Sequence, residues 1–315
     1  MKRVLVTGGN GYIGSRLCLY LADLGYAVTP VCYPLIPVDD HWIAKMEKVV
    51  VGDIRNEAFL SELSEGMYDI IVHLVSLDHR QSEENPSFVT SVNITPVWNL
   101  LNIFSKKELK KFIYFSTVQV YGKLLNEIIT EQHMPSPLNA YGLTHLIGEK
   151  ICDFYNKTTD VECRVVRLSN SYGAPIFAEN NCWWLVVNDL CKQAYFDKKI
   201  VLQSDGTPQR DFIHGWDVCQ AVEKIVATDR PDFLYQISSG KTLTIWEIAQ
   251  CIQHVYTKRY GQQIAINRAG ETSITVEHRY CINNTLLQSI GFNPLWSLEK
   301  GINDLFDFLE RGDGK

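Results

Sequence analysis

Residues 7–14, Thr-Gly-Gly-Asn-Gly-Tyr-Ile-Gly, constrain the fold of this chain more than any other segment. They follow a short apolar run, and a segment with helical apolar periodicity begins at Ile13. This order predicts a strand, a glycine-rich turn and a helix. Gly9, Gly11 and Gly14 fit the G-x-G-x-x-G spacing of dinucleotide-binding turns, in which glycines let the backbone approach a pyrophosphate and let the helix pack on the strand. We therefore expect phosphates at the positive end of the helix.

Short apolar segments alternate with helical patterns through the first half of the chain. The predicted strands are residues 3–6, 27–32, 48–51, 70–73, 112–115 and 162–168. The predicted helices between them are residues 12–24, 57–63, 88–105 and 141–155. Strands that are apolar throughout are typical of a parallel sheet buried on both faces. The alternation therefore predicts an α/β fold with a Rossmann-type, doubly wound parallel sheet.

The pattern loosens after about residue 170, where proline and glycine turns become frequent. Helices are predicted near residues 183–196 and 244–256. We expect a dinucleotide-binding domain at residues 1–172, to which residues 212–240 return. Residues 173–315 are expected to form mainly a smaller, partly interleaved C-terminal substrate-binding domain.

Composition excludes several functional classes. The chain has 315 residues, of which 46% are hydrophobic and 21% charged, as in an ordinary globular protein. Its net charge of -6 argues against nucleic acid as a partner. The eight histidines show no metal-ligand spacing, so we predict no metal. Nine scattered cysteines suggest free thiols in a reducing compartment, and no apolar run is long enough for a membrane, so we expect a cytoplasmic protein without membrane association.

Three further segments lie in register with the glycine-rich turn. They are Phe-Ser-Thr-Val-Gln-Val-Tyr-Gly at 115–122, Tyr-Gly-Leu-Thr-His at 141–145 and Arg-Asp-Phe-Ile-His at 210–214. With the turn, they make the chain resemble the extended short-chain dehydrogenase/reductases, specifically the branch of NAD-dependent nucleotide-sugar epimerases and dehydratases. The resemblance covers nearly the whole chain. It implies NAD as cofactor, a nucleotide-diphosphate sugar as substrate, and a homodimer joined through the helices that follow Ser87 and Tyr141.

The resemblance also implies a catalytic set at Thr117, Tyr141 and His145. In the family a Ser or Thr orients the reacting oxygen, a Tyr moves the hydroxyl proton, and a Lys four residues later supplies positive charge and holds the nicotinamide ribose. Here position 145 is histidine. One interpretation is a substitution that keeps the ribose hydrogen bond. The other is altered chemistry, because imidazole titrates near pH 6.5 and the fixed cation would be mostly absent at neutral pH. On this second interpretation the oxidative half-reaction has a displaced pH optimum.

The glycine spacing and the resemblance together assign the cofactor-binding residues. They are Gly8, Gly9, Asn10, Gly11, Tyr12, Ile13, Gly14, Cys32, Asp53, Ile54, Leu74, Val75, Ser76, Tyr141 and His145. NAD-specific relatives carry an acidic residue at the end of the second strand, where this chain has Cys32. Asp53 matches the family position that binds the adenine amino group. No basic residue occurs between Arg16 and Lys45, so NAD is favoured over NADP, and Arg16 leaves NADP as an alternative.

The residues after Thr117 distinguish between reactions of the family. Dehydratases that eliminate water from the sugar have an Asp-Glu pair there, whereas this chain has Val118 and Gln119. We therefore do not expect 4,6-dehydration. The predicted substrate-binding residues are Ser76, Thr117, Asn170, Arg210 and Arg268. Arginine suits a diphosphate because its guanidinium binds phosphate oxygens in pairs.

The sequence thus predicts an NAD-dependent oxidoreductase or epimerase acting on one carbon, C4, of a nucleotide-diphosphate sugar through a keto-sugar. A competing hypothesis is a dinucleotide-binding sensor or partner subunit that has lost catalysis. His145 supports it, whereas Thr117, Tyr141 and the two arginines argue against it. A reductase of a non-nucleotide ketone is a third hypothesis, against which the family match at residues 268–271 argues.

Overall fold

The computed structural model describes residues 1–124, 127–269 and 279–312. The strands are β1 (Arg3–Thr7), β2 (Ala27–Cys32), β3 (Val50–Val51), β4 (Ile70–His73), β5 (Lys111–Thr117), β6 (Ile128–Ile129), β7 (Glu162–Leu168), β8 (Asn170–Tyr172), β9 (Lys199–Val201), β10 (Gln209–His214), β11 (Leu234–Ile237), β12 (Thr242–Thr244), β13 (Ala265–Asn267) and β14 (Cys281–Ile282). The helices are α1 (Tyr12–Asp23), α2 (Asp40–Lys45), α3 (Glu57–Leu63), α4 (His79–Glu84), α5 (Pro86–Asn93), α6 (Thr95–Phe104), α7 (Ala140–Thr158), α8 (Val186–Asp197), α9 (Gly215–Ala227), α10 (Ile245–Tyr260), α11 (Thr285–Gln288) and α12 (Leu298–Glu310).

A seven-stranded parallel sheet forms the centre of the molecule. Its strand order is β11-β7-β5-β4-β1-β2-β3. The chain runs outward from β1 through β2 and β3, then returns to place β4 on the other side of β1. The strand order therefore reverses between β1 and β4, and a crevice opens at their carboxyl ends, where ligands bind in sheets of this type. The predicted doubly wound α/β fold is confirmed.

Helices cover both faces of this sheet, which explains why its strands are apolar throughout. On one face α1 and α9 pack together, and Leu17, Leu21 and Val222 are completely buried there. On the other face α3, α6 and α7 enclose a second cluster that includes Leu60 and Leu100. Burial of apolar side chains on both faces is the main stabilisation of such a layered fold.

A smaller structural unit follows the main sheet in the chain. A three-stranded sheet, β12-β10-β8, and the pair β13-β9 are covered by α8, α10 and α12, which share a separate apolar core. β11 nevertheless pairs with β7 at the edge of the main sheet. Among the described helices, none is long and apolar enough to cross a membrane. The proposed division at residue 172 stays a prediction.

The helix boundaries differ from the prediction at one instructive place. The predicted helix at residues 88–105 is two helices, α5 and α6, because Pro96 lies in the first turn of α6. Proline lacks the N–H that would continue the helix, and its ring would collide with the carbonyl of Val92. The predicted strand at 48–51 is shorter, Val50–Val51. Helices α9 and α12 were not predicted, although both have strong apolar faces.

Candidate active site

A cleft of about 370 Å³ lies at the carboxyl ends of β1 and β4. It is lined by Gly8, Asn10, Gly11, Val31, Tyr33, Gly52, Asp53, Ile54, Arg55, Leu74, Val75, Ser76, Leu77, Phe88 and Val92. Eight of the predicted cofactor-binding residues are therefore among its walls: Gly8, Asn10, Gly11, Asp53, Ile54, Leu74, Val75 and Ser76. The cleft lies at the reversal of strand order, which is where a doubly wound sheet binds a dinucleotide.

The glycine-rich turn has no space for a side chain at Gly9 or Gly14. Gly8 has a φ of 73°, and a Cβ on Gly14 would lie 2.0 Å from the carbonyl oxygen of Gly8. A Cβ on Gly9 would lie 2.3 Å from the Cβ of Pro30. Gly11 caps α1 without any side-chain hydrogen bond, so the first N–H groups of the helix have no side-chain acceptor. This arrangement fits a bound pyrophosphate.

Two other predicted residues, Tyr12 and Ile13, form the first turn of α1. The Tyr12 hydroxyl donates a hydrogen bond to the carbonyl of Gly173, at 2.8 Å. Ile13 packs against the apolar core of the main sheet. The first turn of α1 is thereby fixed to the segment that follows β8, and this contact holds the helix end in place beside the cleft.

The end of the cleft near β2 and β3 carries one acidic and one basic residue. The Asp53 carboxylate accepts hydrogen bonds from Arg55 Nε, at 2.9 Å, and from Arg55 Nη2. Hydrogen bonding from Arg55 lowers the pKa of Asp53, which is therefore ionised at neutral pH. Cys32 is completely buried, and the residue that lines the cleft beyond β2 is Tyr33. Asn10 Nδ2 donates to the Tyr33 carbonyl at 3.1 Å and ties the turn to this loop.

Arg16, which left NADP as an alternative cofactor, is not among the residues that line the cleft. Its side chain is 1% exposed and donates a hydrogen bond to the carbonyl of Ala174. Its guanidinium lies 5.1 Å from the ring centre of Tyr12 and 5.3 Å from that of Trp216. Because the guanidinium makes these contacts beside α1, Arg16 does not support the binding of a 2′-phosphate in the cleft.

The three predicted catalytic residues come together beside the cleft. Thr117 ends β5, and α7 begins at Ala140, where Asn139 caps it by accepting a hydrogen bond from the N–H of Gly142 at 2.7 Å. Tyr141 and His145 are one helical turn apart and face the same side. Their ring centres are 4.5 Å apart in an edge-to-face contact.

Both aromatic residues of this cluster are neutral at neutral pH. Burial raises the pKa of Tyr141 to about 12, Asp78 adds to that effect, and hydrogen bonding with Thr117 opposes it. Burial lowers the pKa of His145 to about 4. His145 is thus an uncharged imidazole, and Tyr141 is a phenol that retains its proton. The arrangement can donate a proton to a substrate oxygen, whereas accepting one requires added positive charge.

His145 makes hydrogen bonds through both ring nitrogens. Its Nε2 lies 3.0 Å from Ser76 Oγ, and its Nδ1 lies 3.2 Å from the hydroxyl of Tyr114. Ser76 is part of the cleft wall, whereas His145 is 3% exposed. Tyr114 is not among the predicted site residues, because in the sequence it is one residue of an apolar, buried strand.

A buried ionic network supports the catalytic cluster from beneath. Arg167 donates two hydrogen bonds to the Glu149 carboxylate, at 2.9 and 2.6 Å, and Ser116 donates a third at 2.5 Å. The Arg167 guanidinium also lies 4.7 Å from the ring centre of Tyr121. This network joins β7 to β5 and α7, the two elements that carry the catalytic residues. The sequence feature that could have indicated this network is the presence of polar residues within otherwise apolar strands.

Three of the predicted substrate-binding residues, Asn170, Arg210 and Arg268, lie in the smaller unit. Asn170 and Arg210 lie on the neighbouring strands β8 and β10, and Asn170 Nδ2 donates to the carbonyl of Asp211 at 2.9 Å. Arg210 is exposed. Arg268 follows β13, and its guanidinium lies 4.7 Å from the ring centre of Trp246. The remaining residues of that family match, Gly270 and Glu271, lie outside the described residues. Within the described ranges, no group of His, Cys, Asp and Glu could hold a metal ion.

Comparison with known proteins identifies a family. The model of the "NAD dependent epimerase/dehydratase family" matches residues 4–237, well over half of the chain. A putative UDP-glucose 4-epimerase of Methanocaldococcus jannaschii is 25% identical over 98% of this chain and 99% of its own length. A dTDP-D-glucose 4,6-dehydratase of Mus musculus is 24% identical over 98% of this chain and 89% of its own.

Solved structures share the fold. The UDP-glucuronic acid 4-epimerase of Bacillus cereus, in complex with UDP-glucuronic acid and NAD, superposes with a TM-score of 0.80 at 24% identity. The superposition covers 98% of this chain and 99% of that one. At this identity the likeness establishes the architecture of the chain, from the first strand to the last helix.

Proposed function

Because the chain belongs to the NAD dependent epimerase/dehydratase family, we propose that it inverts C4 of a nucleotide-diphosphate sugar through a keto-sugar. The observation that carries the proposal is the meeting of Thr117 and Tyr141 beside the cleft at the reversal of strand order. NAD is the cofactor. When bound, it would supply the acceptor and donor of the sugar's hydride. The glycine-rich turn would hold its pyrophosphate, and Asp53 its adenine.

The chain's own residues would handle the proton of the substrate hydroxyl. Tyr141, whose pKa is raised by burial to about 12, is suited to give its proton to a keto oxygen. Thr117 adjoins the phenol and would orient the same oxygen. In the oxidative direction Tyr141 must accept the hydroxyl proton, which the positive charge of oxidised nicotinamide would favour. The reductive half-reaction therefore has the lower barrier for proton transfer at neutral pH.

C4 is proposed as the reacting carbon because it is shared by the matching proteins. The epimerases named above act at position 4, and the dehydratase acts at positions 4 and 6. We propose epimerisation in preference to 4,6-dehydration because of the residues next to Thr117. Val118 is buried, and the Gln119 side chain accepts a hydrogen bond from Asn139 at 2.9 Å. Neither side chain can serve as the acid or base of an elimination.

The diphosphate would lie against the smaller unit, near Asn170 and Arg210, with Arg268 also contributing. The support is chemical: guanidinium groups bind phosphate oxygens in pairs, and Arg210 is exposed. Ser76 lines the cleft and can face either the cofactor or the sugar.

We further propose a homodimer formed through α6 and α7. These helices expose large apolar side chains: Trp98 is 45% exposed, Leu143 50% and Phe154 49%. Trp98 and Phe154 stack with ring centres 5.9 Å apart, so the apolar surface is continuous across both helices. Such a patch is typical of a surface that a second copy covers.

The test is product analysis with a panel of UDP- and dTDP-linked hexoses in the presence of NAD. The proposal predicts C4 epimers from the wild-type enzyme and a loss of turnover of about 10²–10⁴-fold in Tyr141→Phe, the contribution of proton transfer from a positioned acid. A 4-keto-6-deoxy product would overturn epimerisation. Tight NAD binding without turnover of any sugar would favour the sensor hypothesis, which the neutral His145 supports.

A further inference from the structure

The residue that stands in the place of the family lysine does not itself face the cleft. His145 is 3% exposed, and its hydrogen bond toward the cleft ends at Ser76, which is part of the wall. An imidazole is also shorter than a lysine side chain. The hydrogen bond to Ser76 therefore connects this place to the wall of the cleft.

The two hydrogen bonds of the Ser76 hydroxyl indicate the direction of donation. The Ser76 hydroxyl donates its single proton to the carbonyl of Leu77, at 2.8 Å. Its oxygen must then accept from His145 Nε2, which carries the proton in this tautomer. In this tautomer His145 Nδ1 is unprotonated and accepts from the Tyr114 hydroxyl, whereas the opposite tautomer would donate from Nδ1. The His145 ring also has a hydrogen bond with the backbone of Phe115. The order of donation is Tyr114 to His145, His145 to Ser76, and Ser76 to Leu77.

Space for this arrangement comes from a glycine on the same helix. A Cβ on Gly148 would lie 2.2 Å from the Tyr114 hydroxyl oxygen, so only the absence of a side chain admits the phenol beneath His145. On its other side the Tyr114 ring stacks on His73, with ring centres 6.1 Å apart. His73 Nδ1 is hydrogen-bonded to Thr7 Oγ1 at 2.7 Å. Tyr114 is thus held on both sides and is 2% exposed.

We infer that Tyr114 and His145 are positioning residues that present the Ser76 hydroxyl to the nicotinamide ribose of the cofactor. The Ser76 oxygen has two lone pairs: one accepts from His145, and the other remains for a hydroxyl of the ribose. A neutral serine thereby takes over the ribose contact that a lysine makes in the family, without supplying charge. The inference rests on the proposed function for the orientation of the cofactor, but its hydrogen bonds are a property of the protein.

The first test is the tautomer of His145, read from two-bond nitrogen–proton correlations of histidine-labelled protein. The chain has eight histidines, and the signals of His145 are assigned by their loss in His145→Gln. The inference predicts a protonated Nε2 and an unprotonated Nδ1 in the wild-type protein. A protonated Nδ1 overturns it. This measurement needs neither cofactor nor sugar, so it remains valid if no sugar is turned over.

The second test is the affinity for NAD, measured by calorimetry without substrate. We expect Tyr114→Phe to raise the NAD Kd about fivefold and Ser76→Ala about tenfold, as expected for one lost hydrogen bond. Tyr256→Phe is the matched control, because Tyr256 is also 2% exposed but lies in the second core; its Kd should not change. Unchanged NAD affinity in Ser76→Ala overturns the ribose contact. If Tyr114→Phe changes neither the tautomer of His145 nor the Kd for NAD, the positioning role of Tyr114 is overturned. Gly148→Ala, whose Cβ would displace the Tyr114 hydroxyl, provides the same test if Tyr114→Phe does not fold.

Discussion

Replacing His145 with lysine should shift the pH dependence of sugar oxidation toward lower pH. The rate of this half-reaction follows the fraction of Tyr141 that is deprotonated, because the phenolate accepts the hydroxyl proton. In the wild-type protein burial raises the pKa of Tyr141 to about 12, and the neighbouring imidazole, with a pKa of about 4, carries no charge at neutral pH. A lysine ammonium would stabilise the phenolate.

The size of this shift in pH dependence follows from the pKa of Tyr141 and the charge added at position 145. Raising the pKa of Tyr141 from 10.0 to about 12 makes ionisation harder by roughly 2.7 kcal/mol, at about 1.4 kcal/mol per unit. An opposite charge within hydrogen-bonding range lowers a pKa by about 1–3 units. The rising limb of the pH–rate profile should therefore move down by that amount. The charge of bound NAD acts on both proteins, so it does not affect the difference between them.

The assay is the single-turnover rate of sugar oxidation with excess NAD, recorded over a range of pH. His145→Gln is the uncharged control and should keep the wild-type profile. Asp78→Asn should shift the profile in the same direction as lysine but by less, because Asp78 raises the pKa of Tyr141 and asparagine keeps the cap of α4. If the pH–rate profile of His145→Lys is the same as that of the wild-type protein, the charge at position 145 does not control the ionisation of Tyr141.

Three further variants test other parts of the structure. Gly14→Ala should abolish measurable NAD binding, because its Cβ would lie 2.0 Å from the Gly8 carbonyl oxygen; calorimetry showing wild-type affinity would count against the assignment of the turn. Glu149→Gln should lower the free energy of unfolding by about 3–5 kcal/mol in urea titrations, since it leaves a buried guanidinium uncompensated, and a loss below 1 kcal/mol would argue against the network. Arg210→Met should raise the KM for the nucleotide sugar about tenfold with an unchanged NAD Kd; equal effects on both ligands would exclude a substrate-specific role.

The sheet was predictable because its signals are local. Each strand of the main sheet is a short apolar run, and the glycine-rich turn sets the position of the first helix. The break between α5 and α6 was missed, although Pro96 marks it in the sequence, since proline cannot continue a helix. Edge strands of two or three residues in the smaller unit, such as β9, leave too little periodicity to be predicted.

The site was predictable only in part, because some of its contacts join distant segments. Thr117, Tyr141 and His145 could be located through the resemblance to the family. The partnership of His145 with Tyr114 could not, since it depends on how α7 packs on β5 and on the space at Gly148. Likewise, the sequence placed Cys32 at the ribose, whereas the structure buries its thiol and lines the cleft with the next residue.

Epimerisation at C4 through a keto-sugar can be tested by proton NMR of UDP-glucose and UDP-glucuronic acid incubated with the enzyme and NAD in heavy water. We expect the C4 epimer, with ordinary hydrogen still on C4, because the hydrogen removed from the sugar returns to it without exchange with solvent. We also expect that this product is absent with Tyr141→Phe. Deuterium on C4, a 4-keto-6-deoxy sugar, or unchanged substrate in the presence of bound NAD would contradict this mechanism.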